Sequence, residues 1–266
     1  MMGVAFVKDG YPLFYDAVNE KGLAVAGLRF PQNAVYHTFS ETKKNIATYE
    51  LIPWVLSRCS NVKEATECLK EVNLLSDSFD ADLPSTELHW MFSDRTVSAV
   101  AEPVESGLKV FQNPVEVLTN NPPFEIQMML LEEKDRLTPY ESVETPYSLG
   151  LGAVGLPGDF SSRSRFVKAC FVKKYSVCEP CDEIGQVFHI LKSVEQLQGC
   201  VRLIGGGLEK TVYSSCCDME KGIYYYTTYE NSQISAVDMW KERMNGTELA
   251  CYPFIRKQQI CYVQKK

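Results

Sequence analysis

The apolar and polar positions change period several times along the chain, and each change marks a different kind of element. Short apolar runs of strand length open it, at Val4 to Val7, Leu13 to Ala17 and Leu23 to Leu28. Asp9-Gly10 and Asn19-Glu-Lys-Gly22 separate them, which is hairpin chemistry. From Ile46 to Val72 the period is helical: Leu51, Ile52, Val55 and Leu56 share one side, with Pro53 in a first turn or at a kink. Ser60 predicts the N-cap of a second helix whose apolar side is Val62, Ala65, Leu69 and Val72. Asp77 to Pro84 reads as a polar loop carrying Phe79 and Leu83. Strands return at Glu87 to Phe92, Val97 to Val100, Leu108 to Phe111 and Val115 to Leu118. The last runs into Thr119-Asn-Asn-Pro-Pro123, where prolines end the strand and leave two asparagines at its tip. Turn formation alone would account for one of them.

The second half begins with a polar linker, Leu137 to Pro146, and a glycine-rich turn, Gly155-Leu-Pro-Gly-Asp159. Asp159 or Ser161 can cap a helix from about Ser162 to Val172, with Phe166, Val167 and Cys170 inward. A further helix is expected over Ile184 to Leu197. Strands then follow at Thr211 to Cys217, Ile223 to Thr228, Gln233 to Asp238 and Leu249 to Tyr252. Antiparallel strands with helices inserted between groups of them predict an α+β fold of stacked sheets flanked by helices, as one domain over residues 1–266.

Charge and cysteine usage narrow the function. A net charge of −7 without a Lys/Arg stripe argues against nucleic-acid binding. No run of eighteen apolar residues occurs, so no membrane span is expected, and no basic-then-apolar leader points to secretion. The ten cysteines include one C-x-x-C, at Cys178 and Cys181, without a second pair at zinc spacing. They read as reduced, mostly buried thiols in the cytoplasm. With three histidines in the chain, no metal site and no cofactor are expected. Arg165 is the odd residue. It falls in a first helical turn, where the dipole disfavours a cation, so either Asp159 pairs with it or it has another task.

Asn19-Glu-Lys-Gly-Leu23, Leu118-Thr-Asn-Asn-Pro122, Gly155-Leu-Pro-Gly-Asp159, Ser164-Arg-Phe166 and Glu220-Lys-Gly-Ile-Tyr-Tyr-Tyr226 together resemble the choloylglycine hydrolase family. The match runs in order along essentially the whole chain and is nearest to bile salt hydrolases. The resemblance implies an N-terminal nucleophile hydrolase with an αββα sandwich, cleaving the amide bond of glycine- or taurine-conjugated bile acids. In that family an N-terminal cysteine attacks the carbonyl while its own α-amine moves the proton. Asn120 resembles the family's oxyanion asparagine, and Arg165 its site arginine near the nucleophile. Phe79 and Leu83 fall where members line the steroid pocket. A homotetramer is implied as well.

The chain departs from the family at two places. It begins Met1-Met2-Gly3, inside what should be a later strand, so the opening strands, a segment on the order of 50 residues with the nucleophilic cysteine, are expected to be missing. As given, the chain is then expected to be inactive. Arg29 also stands where bile salt hydrolases commonly have asparagine and penicillin acylases tyrosine. It could donate hydrogen bonds, meet the anionic end of a substrate, or obstruct the site. Two alternatives follow: a non-catalytic bile-salt-binding or oligomer-partner protein, and an acylase acting on penicillin V or acyl-homoserine lactones.

Overall fold

The structure, a computed structural model, describes residues 1–141, 143–243 and 246–263. The backbone gathers into two compact units, Met1–Tyr175 and Ser176–Lys266.

The first unit is built on a six-stranded antiparallel sheet. Its strands are β1 (Met2–Lys8), β2 (Tyr11–Val18), β3 (Ala24–Arg29), β6 (Leu88–Ser93), β7 (Ser98–Val104) and β8 (Gly107–Gln112), in the order β1-β2-β3-β6-β7-β8. The first hairpin turns at Asp9-Gly10, where both residues take positive φ (52° and 77°). Asn19 closes the next one: its Oδ1 accepts from the backbone N–H of Lys21 and Leu23, while its Nδ2 donates to the carbonyls of Leu56 and Cys59. One side chain thereby fixes a turn and docks a helix end.

That helix is α1 (Leu51–Leu56), followed by α2 (Val62–Leu69). Their apolar sides, Leu51, Ile52, Val55 and Val62, Ala65, Leu69, pack with Val25, Trp90, Phe92 and Ala101 of the sheet into the main core. Alternation along β7 sends Val100 to the opposite face. There it meets Phe124 of α3 (Phe124–Glu132) and Phe166 and Cys170 of α4 (Ser162–Tyr175). The sheet is thus covered on both faces, and β7 is buried from Ser98 to Pro103.

Four details of this unit differ from the expectation. Asn61, not Ser60, caps α2, its side chain accepting from Glu64 N. Val72 lies in a strand: β4 (Lys44–Ala47) and β5 (Val72–Leu75) form a parallel pair across the two helices, too short for periodicity to reveal. Val115 to Leu118 is no strand, because Asn113 Oδ1 accepts from Val115 N and Glu116 N and its Nδ2 donates to Val117 O, winding the segment into a turn. Helix α3 was not anticipated.

The second unit contains α5 (Glu183–Lys192) and an antiparallel meander of β9 (Tyr213–Asp218), β10 (Ile223–Thr228) and β11 (Asn231–Asp238). Helix α5 ends five residues earlier than expected, at Lys192 instead of Leu197. Leu249 to Tyr252 forms no strand. Farther on, Ile255 O accepts from Asn231 Nδ2 at 3.1 Å. Phe254 packs on Tyr213 and Tyr226. Side-chain anchoring replaces the ladder there.

Candidate active site

Two chain segments meet beside the C-terminal end of β3. Arg29 is the last residue of β3, followed by fully buried Phe30 and exposed Pro31. Against them lies the turn 119–123. Asn120 Nδ2 donates to Arg29 O at 3.0 Å, and Asn121 Nδ2 to Pro31 O at 2.8 Å. The two asparagines therefore donate to alternate carbonyls at and just past the end of the strand. Behind the turn stands Gln127 of α3, wholly buried. Its Nε2 donates to Asn120 O (2.8 Å) and Pro122 O (2.7 Å), and its Oε1 accepts from Thr119 N and Thr119 Oγ1.

Helix α4 brings the third member. Ser161 caps it, its Oγ accepting from Ser164 N at 3.2 Å. Ser162 Oγ donates to Thr119 Oγ1 at 3.0 Å, tying the helix start to the turn. Arg165 then reaches back: Nη2 donates to Asn120 Oδ1 at 2.9 Å and Nε to Phe160 O at 3.2 Å. Asp159 has other partners, accepting from Ser161 N and the Ser164 hydroxyl. Hydrogen bonds from Ser161 and Ser164 hold its carboxyl down at about 2. Both ends of the Asn120 carboxamide are consequently engaged, and its Nδ2 retains a second proton to donate.

Arg29, Phe79 and Leu83 line one cavity of about 430 Å³, together with Tyr49, Leu88 and Trp90. Its volume falls within the range of small-molecule sites. Tyr11, Tyr49 and Phe79 form an aromatic trio with ring centroids 5.3–6.1 Å apart. The loop carrying Phe79 and Leu83 is fastened by Asp80, which pairs with Lys8 at the end of β1 and accepts from Asp82 N and Leu83 N. The Lys8 hydrogen bond holds the Asp80 carboxyl below its usual range.

No cysteine lines this cavity. Burial pushes the thiols of Cys59 and Cys170, 4% and 6% exposed, up to about 12. Among the described residues no group of three or more His, Cys, Asp and Glu could hold a metal. Among the described residues no helix is long and apolar enough to cross a membrane.

The structure brings Asn120 and Arg165 into direct contact and places Arg29, Phe79 and Leu83 on one wall. Gln127, Tyr11 and Tyr49 are neighbours that sequence reasoning did not single out, while Asn121 stands beside Asn120 as one of the two asparagines expected at the tip. For Gln127 a signal existed: Pro123 followed by Phe-Glu-Ile-Gln-Met-Met-Leu-Leu-Glu132 is a proline-led helix, masked by reading the prolines as a strand stop.

Comparison with known proteins defines the class. The model of the linear amide C–N hydrolases, choloylglycine hydrolase family, matches residues 1–252, and the chain belongs to this family. It is 45% identical to a bile salt hydrolase/transferase of Lactiplantibacillus plantarum, over 97% of this chain and 83% of that protein. It is 39% identical to one of Clostridium perfringens, over 99% and 84%. The crystal structure of a single-substitution variant of conjugated bile acid hydrolase from Clostridium perfringens superposes with a TM-score of 0.92 at 38% identity, covering 98% of this chain and 84% of that one. The fold is therefore the α+β sandwich of N-terminal nucleophile hydrolases. Penicillin V acylase from Agrobacterium tumefaciens shares the fold, with a TM-score of 0.69 at 21% identity over 86% of this chain.

Proposed function

We propose that the chain carries the substrate and oxyanion side of a bile salt hydrolase, acting on the amide bond of glycine- or taurine-conjugated bile acids. The observation that carries this reading is the run Arg165–Asn120–Arg29 beside an apolar cavity of steroid-accommodating size. The relatives named as bile salt hydrolases support it. In this reading the cavity takes the steroid body, with Phe79, Leu83 and Tyr49 as lining. Arg29 meets the carboxylate or sulfonate of the conjugated amino acid. The remaining Nδ2 proton of Asn120 goes to the carbonyl oxygen, where negative charge develops during attack. Arg165, pulling on Oδ1, polarises the carboxamide and strengthens that donor.

The attacking group in this reading is an N-terminal cysteine thiolate whose own α-amine carries the proton. We infer that it is none of the ten cysteines here. Cys59 and Cys170 are buried with raised pKa, and the cavity wall contains no thiol. No cofactor enters this chemistry. All ten cysteines are thiols, which suits a reducing cytoplasm. We read residues 1–266 as one domain, supported by a family match that runs through both units, and the assembly as a homotetramer, which light scattering tests.

Release of glycine and taurine from glycocholate and taurocholate tests the function. It is compared for this chain and for the same chain joined to a family N-terminal segment bearing the cysteine. Turnover is expected only in the joined form, and Asn120→Ala in that form should lower kcat by about 10²–10³-fold. Turnover by these 266 residues alone would refute the assignment of the nucleophile. A joined form that neither binds nor cleaves either bile salt would refute the substrate class.

A further inference from the structure

Directly behind the Asn120–Arg29 contact lies a polar pair that the proposed chemistry leaves unused. His89 on β6 and Glu102 on β7 are 0% and 1% exposed. His89 Nδ1 donates to Glu102 Oε1 at 3.1 Å. The same oxygen accepts from the backbone N–H of Phe124 at 2.9 Å. The imidazole lies flat on Phe30, centroids 4.3 Å apart and planes 7° from parallel, and its Nε2 has no protein partner among the described residues.

Such a pair is an expensive way to fill a core. A buried carboxylate loses hydration that apolar side chains of similar volume would not lose, so the pair is poor stabilising material. What distinguishes it is where its contacts end. Phe30 stands between Arg29 and Pro31, the two residues whose carbonyls accept from Asn120 and Asn121. Phe124 opens α3, whose Gln127 grips Asn120 O. One face of the pair thus holds the strand-end segment through a ring, and the other holds the asparagine turn through an N–H. The two segments carry opposite halves of the site.

We propose that His89 and Glu102 are positioning residues that fix the turn 119–123 against the end of β3, and thereby aim the Asn120 carboxamide. The proposal rests on the reading of Asn120 as the oxyanion donor. Without the His89 donor or the Glu102 acceptor, Phe30 and Phe124 lose their common anchor, and the Asn120 Nδ2 to Arg29 O bond opens more often.

The test is NMR measurement of water exchange at the Asn120 side-chain amide proton bonded to Arg29 O, in the chain without ligand. Asn19 serves as control, since its amide donates to Leu56 O and Cys59 O elsewhere in the same unit. His89→Phe keeps the stack and removes the donor, and Glu102→Met removes the acceptor. Either folded variant is expected to speed Asn120 exchange about tenfold while Asn19 stays within about twofold. Glu102→Gln, whose amide oxygen can still accept from Phe124 N and His89 Nδ1, should restore the wild-type rate. Unchanged Asn120 exchange in a folded variant overturns the proposal. So does an equal rise at Asn19, which would mark general loosening. Exchange is read without turnover, so the outcome of the bile salt assay leaves this result standing.

Discussion

Replacing Gln127 by leucine is the sharpest perturbation of this architecture that does not touch a reacting group. Gln127 is 0% exposed and makes four hydrogen bonds, two as donor and two as acceptor. Leucine would strand three backbone groups: Asn120 O, Pro122 O and Thr119 N. The Thr119 hydroxyl keeps Ser162 as partner. Each of the three costs about 1–3 kcal/mol when stranded, and the apolar gain of leucine recovers about 1–2, so the net loss is about 1–8 kcal/mol, with about 4–5 at mid-range. In urea, with a slope of about 1–3 kcal/mol per molar, the mid-range loss lowers the midpoint by about 2 M. Gln127→Glu is a second arm. Its carboxylate would face two carbonyl oxygens, so its folded pKa should rise above the unfolded value of about 4.3. The folded state then binds the extra proton, and stability should fall as pH rises from about 5 to 8. Fluorescence-monitored urea titrations at both ends of that range read both arms. A leucine variant within about 1 kcal/mol of the parent would refute the reasoning. So would a glutamate variant with the parent's pH dependence.

Further outcomes follow from other contacts. Asp80→Asn removes the nearer of the two carboxylates on Lys8, leaving Asp82 at 3.7 Å, and backbone hydrogen exchange over residues 77–84 should quicken while the urea midpoint stays put. Because the Asp80 carboxyl is depressed, the fastening is present above the ordinary carboxylate pKa and should be lost as pH falls through the lowered value. Gly27→Ala would place a Cβ 3.2 Å from Trp90 Nε1 and 3.3 Å from its Cδ1. Overpacking of about 1–3 kcal/mol exceeds the roughly 0.4–1 gained from a stiffer unfolded chain, so the variant should be less stable, with altered tryptophan emission. Iodoacetamide at pH 8 on the folded chain should modify the exposed Cys178, Cys181, Cys200, Cys251 and Cys261 well before Cys59 and Cys170, as peptide mass spectrometry would show. Equal labelling of all ten would contradict the burial.

How much of this was legible depends on the range of the interaction. Strands β1 to β3 and the Asn19 turn follow from alternation and local turn chemistry, and the Ser161 cap of α4 from a serine three residues before the N–H it accepts. Asn113 defeated the pattern because its side chain competes with a ladder within four residues, and alternation at Val115 to Leu118 cannot show which wins. Asn120 and Arg165 were singled out as types in a motif. Their meeting spans 45 positions, and the Asn120 bond to Arg29 O spans 91. No periodicity encodes such pairings.

Arg165 shows how the two levels join. A cation in the first turn of α4 opposes the helix dipole at a cost of about 0.3–1 kcal/mol. Two hydrogen bonds offset that cost, one to Phe160 O just before the helix and one to Asn120 Oδ1. The second is charge-assisted, and it is the one that orients the amide. Asn120 in turn is held from behind through its own carbonyl by Gln127 and from the side by Arg29 O. Three separate elements therefore converge on one residue: β3 and α4 engage the two ends of its carboxamide, and α3 holds its backbone carbonyl. A side chain meant only to close a turn would need one of these ties. On the proposed reading of Asn120 as the oxyanion donor, the excess serves preorganisation, because a carboxamide already aimed spends no reorganisation energy when charge appears in front of it.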